Sequence, residues 1–264
     1  MRKWVKRVVL TFLGVYLIFA AGLYLFQESL LFLPSHLDRE YEYWFSNAAE
    51  EINLENEGVT LNALHFKVKN SKGVILYFHG NAGDLSRWGE IIQPLLKFNR
   101  DIVIMDYRGY GKNGGEFSEV AMNTDAQAFY DYTKEEFEEG EIILYGRSLG
   151  STFATYIASN NNPSKLILET PFYSIKSVAK RRFPFLPIDW LLKYHFETYK
   201  MVPKVDCPTL ILLSENDAVV GFESGLKLSE EFTRATTISI KNAGHNNQAQ
   251  YDLYWKSIEE FLAN

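Results

Sequence analysis

A chain of 264 residues, 47% hydrophobic and 15% aromatic, suits one large α/β domain with a well-buried core better than two small domains. Its net charge of −6, with no long basic block, gives no sign of a nucleic-acid partner. The one cysteine, Cys207, rules out an internal disulfide, and the five histidines show no His-x-x-x-His or Cys-x-x-Cys spacing, so neither a metal nor another cofactor is expected.

Residues 1–7 form a basic segment carrying Arg2, Lys3, Lys6 and Arg7. Val8 to Phe26 follows without a charge, long enough to cross a bilayer as a single helix at about 1.5 Å per residue. A cleavable signal peptide competes, because Phe19-Ala20-Ala21-Gly22 offers small residues, but the apolar run continues past them and favours an uncleaved anchor over 8–26. Cations on the N-terminal side alone predict that end in the cytoplasm and the remainder outside, on the periplasmic side in a bacterium. A helix lying flat in the interface would need a polar face, which this stretch lacks.

Residues 27–56 read as a juxtamembrane segment, with Gln27 to Tyr43 apolar enough to hug the membrane or the domain surface. A catalytic domain is then expected over 57–264. Thr60 to Val68 alternates as an antiparallel edge strand, and Gly73 to His79 is a buried-strand run ending in His79-Gly80-Asn81-Ala82-Gly83. A helix over about 85–98, a strand Asp101 to Asp106, the turn Tyr107-Arg108-Gly109-Tyr110-Gly111 and a helix from Ser118 to Phe137 come next. Strand Glu141 to Tyr145 feeds Gly146-Arg147-Ser148-Leu149-Gly150, and a helical stretch runs from Leu149 to Ser159. Buried strands alternating with helix-length segments argue for a mostly parallel sheet flanked by helices.

After strand Lys165 to Glu169, residues 170–206 break the rhythm with many aromatics and prolines. Following a strand's C-terminal end, this stretch lies where ligands bind in open α/β sheets, and it reads as a lid of two or three short helices; a merely packed insertion is the plainer alternative. The sheet resumes at Pro208 to Leu213, a helix covers Phe222 to Phe232, Thr236 to Ile240 is the last strand, and Asn247 to Ala263 closes as an amphipathic helix.

Gly-x-Ser-x-Gly alone arises by chance in roughly one chain of this length in ten. Its context, strand then turn then helix, is what a nucleophile elbow needs. A serine hydroxyl is too weak an acid to attack a carbonyl unaided; it needs a base, and the base an orienting acid. Asp217 follows the strand ending at Leu213 and His245 follows the strand ending at Ile240, which gives the order Ser148, Asp217, His245 on loops after successive strands. Glu215 is the rival acid, disfavoured because Asp217 sits further out on its loop. Two backbone N–H groups would face the oxyanion, those of Leu149 and of Asn81. His79 is expected to brace its turn, and Asp106 with Arg108 to hold a loop as an Arg–carboxylate pair.

These residues resemble the alpha/beta-hydrolase group that includes the Bem46-like proteins and the eukaryotic alpha/beta-hydrolase-domain proteins of types 13 and 17. The likeness runs through Phe26 to Pro34, Phe78 to Gly83, Asp106 to Gly111, Gly146 to Gly150, Glu169-Thr170-Pro171-Phe172 and Ala243-Gly244-His245-Asn246. It implies an alpha/beta-hydrolase fold and a serine hydrolase of esters or thioesters acting on acylated proteins or lipids. Three places depart from the group: the acid loop reads Leu213-Ser214-Glu215-Asn216-Asp217 where a His-Gly pair is common before the variable residues, Gly221 stands where a proline is usual, and Asn247 where Asp is frequent.

The resulting expectation is a membrane-anchored serine hydrolase with an acyl or lipid-like substrate and no nucleic-acid partner. A serine peptidase or amidase on the same residues, and a non-catalytic binding protein of the same fold, are the alternatives. The oligomeric state and the natural acyl donor are not legible.

Overall fold

The computed structural model describes residues 2–263. Helix α1 (Lys3–Leu25) keeps almost every side chain exposed, only Ala20 being buried, and is the one described helix long and apolar enough to cross a membrane. A short turn leads into α2 (Gln27–Leu31), after which the chain runs as a strap over the domain. Leu33–Pro34 pair in parallel with Ala82–Gly83, and Leu37 donates its N–H to the Gly111 carbonyl at 2.9 Å. Phe32 is buried here, its ring 4.5 Å from that of Phe117. Part of this apolar stretch thus packs on the domain, while Leu30 and Leu33 stay exposed.

The sheet has eight strands: β1 (Ala49–Asn56), β2 (Val59–Phe66), β3 (Val74–Phe78), β4 (Asp101–Met105), β5 (Ile142–Arg147), β6 (Lys165–Glu169), β7 (Thr209–Ser214) and β8 (Ala235–Ile240). Their spatial order is β8-β7-β6-β5-β3-β4-β2-β1. The β1–β2 and β2–β4 pairs are antiparallel and every other pair is parallel. The strand expected over 60–68 is therefore antiparallel but not at the edge, because β1 covers it. The domain expected from residue 57 gains a strand before that point. Only Ile52 and Leu54 interrupt the polar run of β1, and such an outer strand needs a single apolar contact face, so its sequence carries little strand signal.

Alternate residues of the strands feed two cores. Leu76, Phe78, Val103, Met105 and Leu144 face α4 (Glu119–Glu136) and α5 (Leu149–Asn160). Ile75, Tyr77, Ile104, Ile143 and Tyr145 face α3 (Leu85–Ile92) and α10 (Asp252–Ala263). At about 1.5–3 kcal/mol for each large apolar side chain withdrawn from water, these two layers dominate the stability. Asp84 caps α3 by accepting from Ser86 N at 2.7 Å, and Ser118 caps α4 through Ala121 N.

The helix expected over 85–98 ends at Ile92 and continues to Phe98 as a 3₁₀ stretch, since Pro94 has no N–H to give to an α-ladder. Likewise α10 begins later than residue 247. Gln248 Nε2 instead reaches back to Leu212 O and Ser214 Oγ, which holds residues 243–248 as a loop. Residues 170–206 form three short helices, α6 (Ile175–Arg182), α7 (Ile188–Leu191) and α8 (Thr198–Met201), over the C-terminal edge of the sheet. Helix α9 (Phe222–Ser229) bridges β7 to β8. The whole is the alpha/beta-hydrolase arrangement, a mostly parallel sheet flanked by helices.

Candidate active site

Strand β5 delivers Ser148 into a turn so sharp that its φ is +50° with ψ −115°, a region that costs a non-glycine residue of order 1–3 kcal/mol. Three hydrogen bonds hold it there. Ser148 N donates to Glu169 O at 2.9 Å, and Ser148 O accepts from Ser151 N at 2.9 Å and Ser151 Oγ at 2.6 Å. The flanking glycines are required by contact. A Cβ at Gly146 would lie 2.5 Å from Gly150 O and 2.6 Å from Ser151 Cα, and one at Gly150 would run into the Phe78 carbonyl.

The loops after β7 and β8 bring Asp217 and His245 to this turn. Ser148 Oγ lies 3.0 Å from His245 Nε2, and His245 Nδ1 lies 2.7 Å from Asp217 Oδ2. Asp217 is buried, and burial pushes its carboxyl up. Its hydrogen bond and charge contact with His245, aided by the N–H groups of Val219 and Val220 on Oδ1, outweigh that and hold it below the usual carboxylate value. An ionised Asp217 can only accept, so Nδ1 carries the proton and Nε2 presents its lone pair to the Ser148 hydroxyl. Glu215, the rival acid, is exposed and away from this chain of bonds.

The departures from the group pattern have local explanations. Gly221 has φ +86°, open to glycine and closed to proline, and its N–H reaches Asp217 Oδ1 at 3.4 Å. Asn247 Oδ1 accepts from Gly244 N at 2.7 Å, a bond an aspartate oxygen would make equally. Ser214 Oγ donates to Gly244 O at 2.9 Å and ties the acid loop to the histidine loop.

Across from Ser148, the turn after β3 is clamped from several sides. Tyr110 OH donates to Asn81 O at 2.8 Å and Tyr107 OH to His79 O at 2.6 Å. The strap adds Leu33 N to Asn81 O at 3.4 Å. The carbonyl of Asn81 is thus engaged, while no protein acceptor takes the N–H of Asn81 or of Leu149 among the described residues. His79 braces the turn through Gly80 O at 2.6 Å and Asp106 at 3.1 Å. Arg108 does form an Arg–carboxylate pair, but its partner is Asp125 of α4, at 2.7 Å through both Nε and Nη2. Asp106 is taken up by His79 and the N–H of Leu85, and the guanidinium turns instead to Asp125, 17 residues on in sequence, with Glu57 a more distant contact at 3.9 Å.

One cluster escapes sequence reasoning. Arg147, beside Ser148, is buried with Nε 3.1 Å from Glu169 Oε1, and Nη2 donates to Asn246 Oδ1 at 3.2 Å. Tyr145 OH and Tyr254 OH donate to Glu169 Oε2 at 2.7 and 3.0 Å. The residue after His245 is thereby tied to the residue before Ser148. Its only sequence signal is an arginine inside the pentapeptide with a glutamate closing the next strand.

Among the described residues no group of three His, Cys, Asp or Glu side chains is placed to hold a metal. Cys207 is buried, and burial pushes its thiol up to about 11.

Residues 69–201 match the family described as serine aminopeptidase, S33. The chain is 32% identical over 197 residues to the Caenorhabditis elegans alpha/beta hydrolase domain-containing protein aho-3, covering 73% of this chain and 58% of that one. It is 32% identical over 202 residues to the Danio rerio lysophosphatidylserine lipase ABHD12, covering 68% and 51% respectively. It therefore spans little more than half the length of these relatives. Among solved structures, a Pyrococcus furiosus esterase superposes with a TM-score of 0.70 at 19% identity, over 88% of this chain and 98% of that one. At that identity the likeness speaks for the fold.

Proposed function

The chain belongs to the serine aminopeptidase S33 family of alpha/beta hydrolases, and from that premise we propose that it is a membrane-anchored serine hydrolase of acyl or lipid-type carboxylic esters or thioesters. The observation that carries this reading is the continuous hydrogen-bond chain from Ser148 Oγ through His245 to Asp217. An esterase fold and a lysophosphatidylserine lipase among the relatives support the hydrolase class and an acyl substrate.

In this mechanism Ser148 Oγ bonds to the substrate's carbonyl carbon as its proton passes to His245 Nε2, and the carbonyl's π pair moves onto oxygen. The N–H groups of Leu149 and Asn81 receive that oxyanion; the first sits at the N-terminus of α5, whose dipole favours negative charge. The pair then returns, the C–O or C–S bond breaks, and the leaving oxygen or sulfur takes the proton from Nε2. Water repeats the sequence on the acyl-Ser148 ester and releases the acid. Asp217 stays ionised throughout and stabilises the imidazolium.

In the same reading residues 8–26 are an uncleaved anchor with residues 1–7 on the cytoplasmic side, 27–48 the strap, and 49–264 the catalytic domain with its lid at 170–206. Trp4 near one end of α1 and Tyr24 near the other suit the two interfaces of a bilayer. Amide hydrolysis by the same three residues is the second reading, favoured by the aminopeptidase description of the family. Turnover of short p-nitrophenyl esters by full-length protein in detergent, beside an aminoacyl p-nitroanilide, tests both. Ester turnover that vanishes in Ser148→Ala supports the proposal. Ester turnover that persists in Ser148→Ala defeats it, and amide turnover alone moves it to the second reading.

A further inference from the structure

The lid does more than roof the sheet: it is fastened along the side of α1. Gln27 bridges the two, donating from Nε2 to Leu191 O at 3.1 Å and accepting from Lys193 N at 2.8 Å. Tyr194 OH donates to Glu28 Oε1 at 2.9 Å, and Lys193 Nζ lies 4.9 Å from the Tyr24 ring centroid. Much further along the helix, Tyr16 OH donates to Phe185 O at 3.1 Å. Tyr16 precedes Leu25 by nine residues, so the lid's tip lies about 14 Å from the C-terminal end of α1, at 1.5 Å per residue. A bilayer's hydrocarbon layer is about 30 Å thick, so a spanning α1 carries that contact into the apolar region.

The chemistry of the tip matches this depth. Phe185 is 91% and Trp190 86% exposed, two large aromatics with nothing of this chain upon them. The one acid of the tip, Asp189, is bound by both Lys176 and Lys180. In hydrocarbon a tyrosine hydroxyl and a free carbonyl each lack a partner at a cost of several kcal/mol; Tyr16 and Phe185 satisfy one another. Between α1, α2 and the lid runs an open apolar groove lined by Leu23, Leu30, Leu31, Phe183, Leu186 and Leu191, among others. The lid's other side touches the acid loop, where Arg181 reaches Ala218 O at 3.5 Å, and α9, where Ser177 Oγ lies 3.2 Å from Ser224 Oγ.

We propose that the lid tip, residues 183–190, is inserted in the bilayer leaflet that holds the C-terminal half of α1, and that the groove between them takes the acyl chain of a membrane-resident ester. The second half of this inference rests on the hydrolase reading above; the insertion stands on geometry alone. Substrate then reaches Ser148 from within the leaflet, not from water.

The test uses full-length protein in vesicles of phosphatidylcholine and phosphatidylglycerol. Single cysteines replace Phe185, Trp190 or, as a control at the far end of α4, Glu135, and carry an environment-sensitive fluorophore; buried Cys207 stays in place. Labels at 185 and 190 should be quenched by lipids with a mid-chain doxyl group and shielded from aqueous iodide, and the label at 135 the reverse. Iodide quenching at 185 and 190 equal to that at 135 overturns the insertion. In a second arm, Phe185→Asp with Trp190→Asp should lower turnover of a long-chain monoacyl ester held in vesicles by roughly tenfold, the scale of withdrawing a large aromatic from an apolar phase. Turnover of a soluble butyrate ester should be unchanged. Equal effects on both esters, or none on either, overturn the entry route. If the wild type cleaves neither ester, it is the hydrolase reading that fails, while the quenching result still decides insertion.

Discussion

Two histidine–aspartate pairs stand at the C-terminal edge of this sheet, and they are put to opposite uses. His245 meets Asp217 at 2.7 Å through Nδ1, and its other nitrogen faces a hydroxyl. His79 meets Asp106 at 3.1 Å through Nε2, and its other nitrogen faces the Gly80 carbonyl. The second pair is wholly buried, and burial pushes the Asp106 carboxyl up, whereas contact with His245 and two backbone N–H groups leaves Asp217 held down. With one ring nitrogen spent on Gly80 O and the other on Asp106, His79 acts as a clamp. An imidazole braced by a carboxylate becomes a base only where its far nitrogen meets something that can give up a proton.

The largest expected effect separates the pairs outright. Ser148→Ala, His245→Ala and Asp217→Asn should each lower ester turnover by about 10⁴-fold or more, with urea unfolding curves close to those of the wild type. His79→Ala should reverse that ranking. It leaves Asp106 buried without its partner, at a cost of about 2–4 kcal/mol in the same unfolding assay, while turnover falls by roughly a hundredfold at most through the loosened Asn81 turn. A loss of activity in His79→Ala as deep as in His245→Ala would erase the distinction drawn here.

Asp106→Asn sharpens it further. An amide keeps an acceptor for Leu85 N and a polar atom for His79, so both stability and turnover should stay within about 1.5 kcal/mol of the wild type. The same isosteric change at Asp217 removes the charge that fixes the imidazole tautomer.

The smallest effect is in the pH dependence of stability, where the two aspartates differ in sign. Asp217 has its folded carboxyl lowered, so its contribution is complete above the ordinary carboxylate value of about 4 and is lost as pH falls through the lowered one. Asp106 is raised, so it favours the fold when protonated, and stability declines as pH climbs from the ordinary value to the raised one. Unfolding free energies measured from acid to neutral pH should therefore flatten on the acid side in Asp217→Asn and on the neutral side in Asp106→Asn. Identical changes in the two variants would contradict the contrast.

The chain order of Ser148, Asp217 and His245 was legible because the first two follow buried apolar strands, while the half-exposed strand before His245 shows only as the alternation Thr237-Ile238-Ser239-Ile240. The elbow was legible through its glycines, whose absent side chains the structure shows to be a matter of contact. Less visible were features whose cause lies in three dimensions. Strand β1 has only two inward apolar residues. The acceptor for Arg108 proved to be Asp125, chosen by where α4 packs and not by nearness in sequence. The Arg147–Glu169–Asn246 cluster joins the ends of two strands to the loop after a third. Nor could the sequence tell that Gln27 and Tyr16 fasten the lid along α1, since both bonds span more than 160 residues.

The central claim is that Ser148 is a nucleophile made reactive by His245. A fluorophosphonate probe forms a phosphonyl ester with such a serine and fluoride leaves, so peptide mass spectrometry of the labelled full-length protein reads the claim directly. One adduct per chain, on Ser148, with labelling suppressed in His245→Ala, is the result expected. Labelling that is absent, that falls on another residue, or that proceeds equally well in His245→Ala would contradict it.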